Sequence, residues 1–197
     1  MSETEFLIGR NGLDLQDDFY PDDLPHEWRF DYYCNMFRTL LLPIDTEEDL
    51  DTVFEDLEEV EGDFELVLSI QAEQLLNATT LASLLRSVAE YREQFILFCE
   101  LDQLPDQAIL QQLSGYRLCF QSSNTLDLTM DHQSVADYQL YYNDLPVLYS
   151  SNPWNETQMR EYLERAAQIN QKTILICKYA EAETLSKMRV ISEVLGF

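Results

Sequence analysis

The sequence predicts an α/β fold built on a largely parallel sheet with an incomplete outer layer of helices. Apolar runs typical of strands alternate with segments of helical periodicity, and this alternation favours parallel pairing with right-handed crossovers. The chain has 197 residues, of which 46% are hydrophobic, enough to bury a full core. Because no internal repeat or flexible linker divides the sequence, residues 1–197 are predicted to form a single domain.

Eight runs rich in apolar, β-branched and aromatic residues are predicted strands. They are Glu5–Gly9, Arg38–Leu42, Phe64–Gln71, Gln94–Cys99, Tyr116–Gln121, Leu126–Met130, Tyr138–Tyr142 and Lys172–Lys178. Only a turn and a short helical stretch fit between the fifth, sixth and seventh runs, whereas a parallel crossover needs a dozen or more residues. Outer helices are therefore expected to be missing or reduced in the second half.

Helical periodicity predicts six helices. They are Pro25–Met36, Glu47–Val60, Glu73–Arg92, Asp106–Leu113, Asn155–Ile169 and Glu181–Leu195. Thr46 with Asp49, and Asn155 with Gln158, have the spacing of capping boxes that begin two of these helices. Gly196 is a typical helix terminator for the last one.

The second of these helices is strongly amphipathic. Its apolar residues form one stripe, which consists of Leu50, Val53, Phe54, Leu57 and Val60. The opposite arc carries eight acids, which are Glu47, Glu48, Asp49, Asp51, Glu55, Asp56, Glu58 and Glu59. These acids are expected to face water.

The charge of the chain excludes several classes of partner. Thirty-seven acids and twelve bases give a formal net charge of -25, which disfavours direct contact with nucleic acids and with anionic membranes. Residues 1–100 carry a net charge of -20 and residues 101–197 carry only -5. A basic protein fits this lopsided charge better, although an acidic surface can also serve solubility alone.

Targeting signals, metal sites and cofactor motifs are not indicated. The first residues lack the basic and apolar regions of a secretory signal, and no apolar run is long enough to cross a bilayer, so a cytoplasmic protein is expected. Cys34, Cys99, Cys119 and Cys177 are scattered and are predicted to be buried thiols without metal or disulfide. Because phosphate-binding loops, dinucleotide-binding glycines and nucleophile elbows are absent, no cofactor is predicted.

Several segments carry a resemblance to a known family. They are "IGRNGL", "DDFYPDDLPHEW", "DYYCNMFRTLLL" and the stretch from "NPWNETQMREYL" to "MRVISEVLG". They are similar to the YecE-like family, a domain of unknown function with a (β/α) barrel related to the triose-isomerase (TIM) fold. The resemblance implies a TIM-like barrel, shortened because such barrels commonly need about 250 residues.

The sequence departs from the family pattern at four polar positions. Arg10, Asn11 and Leu13 follow the first strand in place of small polar residues and an aromatic. Leu41 stands where the family has a glutamate, and "YRLCFQSSNT" lacks the Glu-x-Arg-His cluster. Cys177, Lys178 and Tyr179 replace an aromatic and two asparagines. Because function in such barrels lies at the carboxyl ends of the strands, these changes are expected to disable the family's own site.

Candidate site residues fall into two groups. At the predicted barrel mouth, Glu73, Glu100 and Lys178 are candidates for acid-base chemistry, and Arg10, Asn11, Tyr20 and Tyr179 are candidates for ligand binding. On the acidic helix, Glu48, Asp51, Glu55 and Glu58 are candidates for partner binding. The acids of the first loop, which are Asp14, Asp17, Asp18, Asp22 and Asp23, disfavour an anionic ligand there.

Three functions remain open at this point. The main hypothesis is a non-catalytic protein that acts through protein contacts made by its acidic N-terminal half. The alternative is a divergent enzyme or small-ligand protein with its site at the barrel mouth. A nucleic-acid mimic is a third possibility, because eight carboxylates over about 21 Å of helix approach the charge density of duplex DNA.

Overall fold

A computed structural model of the chain describes residues 4–15, 19–135, 137–151, 155–169 and 171–197. Nine strands lie in these residues: β1 Phe6–Asn11, β2 Thr39–Pro43, β3 Glu65–Ser69, β4 Phe95–Glu100, β5 Arg117–Ser122, β6 Asp131–Val135, β7 Tyr138–Tyr142, β8 Val147–Ser150 and β9 Thr173–Cys177. They form one sheet in the order β6-β7-β5-β4-β3-β2-β1-β9-β8. All pairs from β5 through β1 to β8 are parallel, and β7 is antiparallel to both β5 and β6. The predicted mixed α/β class with mainly parallel pairing is therefore confirmed.

One predicted strand was wrong, and one strand was missed. Residues 126–130 are not a strand; Leu126 is buried, and its backbone N–H donates to the Tyr141 hydroxyl at 2.6 Å. The sixth strand is instead Asp131–Val135, a mostly exposed and polar edge strand whose sequence has no apolar alternation. The strand Val147–Ser150 was missed because it has only four residues, all of them buried.

Seven α-helices lie in the described residues. They are α1 Arg29–Cys34, α2 Leu50–Glu59, α3 Ala72–Leu75, α4 Ala78–Ser87, α5 Gln107–Gln112, α6 Glu156–Ala166 and α7 Ala182–Leu195. The predicted helix Glu73–Arg92 is divided, because the Asn77 side chain accepts from the Thr80 backbone N–H and begins a new helix, α4. Within the described residues between β5 and β8, no helix covers the sheet.

The two predicted capping boxes have different outcomes. The reciprocal hydrogen bonds between Asn155 and Gln158 are both present at the start of α6. The Thr46 box is wrong, because α2 begins at Leu50 with Asp49 at the N-cap position. The Thr46 hydroxyl instead accepts from the backbone N–H of Glu48 at 3.2 Å, within a turn that precedes the helix.

The strands β1 and β2 approach so closely that only glycine fits at position 9. A Cβ added to Gly9 would lie 2.0 Å from the backbone oxygen of Thr39. The fully buried hydroxyl of Tyr33, from α1, joins the same strands: it accepts from the Arg10 N–H at 3.2 Å and donates to the Thr39 oxygen at 2.9 Å. The first glycine of "IGRNGL" is thus explained by packing between strands.

The sheet curls until the inner side chains of β5 meet the backbone of β8. The Gln121 amide donates to the Tyr149 oxygen and accepts from the Tyr149 N–H, both at 2.9 Å. Two residues earlier on each strand, the Val147 N–H donates to the Cys119 sulfur at 3.2 Å. Side chains of β5 therefore satisfy the backbone of β8 where β7 occupies the hydrogen-bonding edge of β5.

Among the helices that the structure describes, none combines the length and the apolar character needed to cross a membrane.

Candidate functional site

A small polar cavity lies at the carboxyl ends of the parallel strands. Its volume is about 130 Å³, and its lining includes Asn11, Ser69, Gln71, Glu100, Tyr149 and Lys178. Ligand pockets for metabolite-sized molecules commonly occupy about 300–1,000 Å³. The cavity therefore has room for only a few non-hydrogen atoms.

Tyr149 contributes an aromatic ring and a hydroxyl to the lining of this cavity. Its ring packs 5.7 Å from that of Phe98, and the Lys178 ammonium lies 5.9 Å from the Tyr149 ring centroid. Its side chain also hydrogen-bonds with Asn11 and Lys178. Burial raises the pKa of the Tyr149 hydroxyl, although Lys178 opposes this effect. The phenol is thus a neutral, fixed member of the cavity.

Glu100 and Lys178 are the charged groups in the cavity lining. Burial raises the pKa of the Glu100 carboxyl, Lys178 lowers it, and Asp102 raises it further. The pKa of Lys178 is raised, first by its hydrogen bond with Tyr179 and then by Tyr149. The Gln121 amide that bonds to β8 also lies 3.5 Å from the Glu100 carboxylate. The polar groups at this mouth are therefore partnered largely with one another.

The structure brings together some of the residues predicted for the mouth. Asn11, Glu100 and Lys178 line the cavity, and the ring of Tyr179 lies 5.1 Å from the Lys178 ammonium while remaining 69% exposed. Glu73 is exposed on the first turn of α3 and is not part of the cavity lining.

Arg10 and Tyr20 lie away from the cavity. Arg10 is only 7% exposed, its Nε donates to the Asn11 oxygen at 3.2 Å, and its Nη1 lies 3.7 Å from the Glu181 carboxylate. The buried Tyr20 hydroxyl donates to the Leu13 oxygen at 2.7 Å, and the Arg29 guanidinium lies 4.9 Å from the Tyr20 ring. Strand alternation explains the placement of Arg10, since it must point to the face opposite Asn11. Asp17 and Asp18 of the acidic first loop lie outside the described residues.

The residues that sequence reasoning missed are Gln121, Tyr149, Phe98 and Ser69. Strand alternation could have placed Ser69 and Phe98 on the inner face of the sheet. Each lies two residues before another residue of the cavity lining, and side chains two residues apart on a strand point to the same face. Tyr149 lies on the strand that was missed. The role of Gln121 depends on the approach of two strands that are far apart along the chain, so no local signal identifies it.

The acidic helix α2 shows most of the predicted burial pattern, but Glu48 and Asp56, which were expected to face water, are half-buried. Val53 and Phe54 are buried, whereas Asp51, Glu55, Glu58 and Glu59 are exposed. Some of these acids have local partners: Glu48 lies 3.6 Å from the His26 ring, Asp51 hydrogen-bonds with the Tyr91 side chain, and Glu58 accepts from Gln94 at 3.2 Å.

Three of the four cysteines are buried as predicted, whereas Cys34 is only half-buried. Cys99, Cys119 and Cys177 are free and buried, and burial raises the pKa of each thiol to about 12. A thiol with such a pKa is protonated at neutral pH and is a poor nucleophile. Over the described ranges, no three His, Cys, Asp or Glu side chains converge in a way that could hold a metal ion.

Comparison with known proteins supports the fold and leaves the function open. Neither a protein-family model nor a curated protein matches the sequence. Among solved structures, the chain is similar to a DUF72 family protein from Thermotoga maritima, with a TM-score of 0.60 over 97% of this chain and 99% of the other. Since the two sequences are 11% identical, the likeness supports a DUF72 fold and carries no information on activity.

Proposed function

We propose that the protein is a non-catalytic, divergent relative of the YecE-like family that acts through contacts between its acidic N-terminal half and a basic protein. In this proposal the curled sheet is a shortened TIM-like barrel in one domain, closed between β5 and β8 by side chains. The protein would work in the cytoplasm.

The observation that carries the proposal is the lack of cationic partners in residues 39–85. This stretch contains thirteen acids and no lysine or arginine. In the part of the chain that the structure describes, ion pairs reach only Glu48, Asp63 and Glu65 of these acids. Like charges at this density repel one another and destabilise the compact state, so a cationic partner would relieve a cost that the fold itself leaves in place.

The experiment is an affinity pull-down from native lysate that compares the wild-type protein with a variant in which Glu48, Asp51, Glu55 and Glu58 are changed to lysine. We expect the wild type to retain a basic protein that elutes as salt rises, because exposed charge contacts are screened. The variant should lose this protein while its circular dichroism spectrum stays unchanged. Equal recovery by both proteins would contradict the role of these four acids.

A second function, the binding of a small ligand at the carboxyl ends of the strands, is favoured by one observation. Burial raises the pKa of Glu100 beside Lys178, as acid-base chemistry at neutral pH requires. The test is thermal melting of the wild type and of Lys178→Met with acetate and glyoxylate, whose few atoms suit a cavity of about 130 Å³. Stabilisation that disappears in the variant would support a site there, and the absence of any shift at millimolar ligand would reject these small carboxylates.

A further inference from the structure

A second and larger concavity lies at the opposite ends of the strands. This groove has a volume of about 720 Å³ and lies at the amino ends of β1, β2 and β3, where the carboxyl ends of α1, α2 and α7 converge. Part of its lining is apolar: Met36 is 45% exposed, and Val60, Phe64 and Phe197 are partly exposed. Its volume falls in the range of clefts that hold ligands or peptide side chains.

The groove is strongly acidic. Six acids line it (Glu5, Asp31, Glu59, Glu61, Asp63 and Glu193) against two arginines (Arg38 and Arg189). Arg38 lies 3.6 Å from Glu5, Arg189 lies 3.8 Å from Glu193, and Lys172 lies 3.1 Å from Asp63. No cation of the described residues forms an ion pair with Asp31, Glu59 or Glu61.

The helix ends add to this negative potential. The carboxyl end of a helix carries a partial negative charge and favours lysine or arginine in its last turn. Neither α2 nor α7 has a basic residue in its last turn, and α2 ends in Glu58 and Glu59. The half-buried Asp56 responds to the same field: burial raises the pKa of its carboxyl, and Asp31 and Glu59 raise it further. The sequence therefore places carboxylates where folding alone would favour cations.

We propose that this groove docks a basic segment of a partner protein. Lysine or arginine side chains of the segment would pair with Asp31, Glu59 and Glu61, while its apolar side chains would pack on Met36 and Phe64. The inference rests on the proposed function and adds to it a second contact, in which a peptide segment of the partner occupies the groove. A single metal ion would leave most of a 720 Å³ space unfilled, whereas a peptide segment matches both its size and its mixed polarity.

The acids on and beside α2 are less suited than the groove to hold a peptide segment. Asp51 and Glu58 on α2, and Glu48 in the turn before it, already have partners in Tyr91, Gln94 and His26. Glu59 and Glu61, by contrast, combine exposure, the end of a helix and neighbouring apolar surface. Charge complementarity therefore selects the groove for a cationic segment.

The test uses a short fluorescein-labelled peptide in which lysine and leucine alternate, with binding followed by fluorescence anisotropy. The groove variant carries Glu59→Lys and Glu61→Lys. The matched control carries Glu47→Lys and Glu90→Lys, which change the net charge equally at exposed positions outside the groove. A second probe, in which serine replaces leucine, measures what the apolar contacts contribute.

We expect the groove variant to weaken binding of the lysine-leucine peptide by about tenfold or more, because attraction becomes repulsion at two contacts. The control should change the affinity by less than about threefold, since distant charges are screened over about 8 Å at physiological salt. The lysine-serine peptide should bind the wild type more weakly.

Two outcomes would overturn the groove proposal. One is an equal loss of affinity in the groove variant and the control, which would mean that overall acidity attracts the peptide. The other is no binding of the peptide by the wild type. In both cases the lysate pull-down decides separately whether the protein works through contacts with a basic protein, so the two proposals can fail independently.

Discussion

The charged side chains at the two ends of the parallel sheet differ in whether they have partners within the protein. At the carboxyl ends, Glu100 and Lys178 line a cavity of about 130 Å³, and Gln121, which lies 3.5 Å from the Glu100 carboxylate, bonds to the backbone of β8. At the amino ends, the groove of about 720 Å³ exposes carboxylates that no described cation neutralises. The first end is internally satisfied, and the second is not.

The two sets of polar groups therefore have opposite effects on the stability of the folded state. Polar groups that satisfy one another lower the free energy of the folded state and need no ligand. Acids grouped at helix carboxyl ends raise that free energy, and local conflicts of this kind often mark surfaces kept for binding. The mouth at the carboxyl ends of the strands, where TIM barrels usually carry their functional site, is less acidic than the groove.

The largest effect on stability is expected from a change at Gln121, at the carboxyl ends of the strands. Gln121→Leu leaves the buried N–H and oxygen of Tyr149 without partners, so the free energy of unfolding should fall by about 2–4 kcal/mol. Urea unfolding followed by circular dichroism measures this loss. Hydrogen exchange should also become faster at the Tyr149 amide.

Gln111→Leu provides the matched control for this change. Gln111 is exposed on α5, so the same substitution there should change the stability by less than about 0.5 kcal/mol. Similar small losses in both variants would mean that the Gln121 side chain does not hold β8 in place.

A smaller change of opposite sign is expected at the groove. Glu59→Lys places a cation in the last turn of α2 and should raise the free energy of unfolding by about 0.5 kcal/mol while weakening peptide binding. Glu55→Lys changes the charge equally in the helix interior and serves as the control. Added salt should reduce the difference in the free energy of unfolding between the two variants, because it screens the charges. A loss of stability in Glu59→Lys would contradict the proposal that the carboxylate at the end of α2 is unfavourable for folding.

The pH dependence of this effect has a defined sign. The pKa of Asp56 is raised in the folded protein, so its contribution to stability is present at low pH and is lost as the pH rises through the folded pKa. Glu59 is one of the causes of that raised pKa. Glu59→Lys should therefore lose less stability than the wild type between acidic and neutral pH.

Local signals in the sequence predicted the elements whose stability is local. The apolar stripe of α2 and the capping box of Asn155 and Gln158 depend on neighbours a few residues away, and both are present. Predictions failed where tertiary contacts decide. Leu126 is buried without being in a strand, and β6 pairs at the edge of the sheet despite its polar sequence.

The candidate sites also contain some residues that local patterns could place and others that depend on tertiary contacts. Strand alternation and strand ends were enough to place Asn11, Glu100 and Lys178 at one mouth. The contact between Gln121 and Tyr149 joins residues 28 positions apart, and the groove is formed by elements from both ends of the chain. The residue pattern of a single segment does not indicate which distant segments will lie against it in the fold.

The side-chain bonds of Gln121 also bear on how the protein avoids association with other strands. An open strand edge presents unpaired N–H and oxygen groups that can template pairing with another chain. At β8, Gln121 occupies both the N–H and the oxygen of Tyr149, so a foreign strand cannot pair there. The other edge strand, β6, exposes the polar side chains of Asp131, His132 and Ser134. Gln121 and Cys119 thus occupy backbone groups of β8 that a strand from another chain would need for pairing.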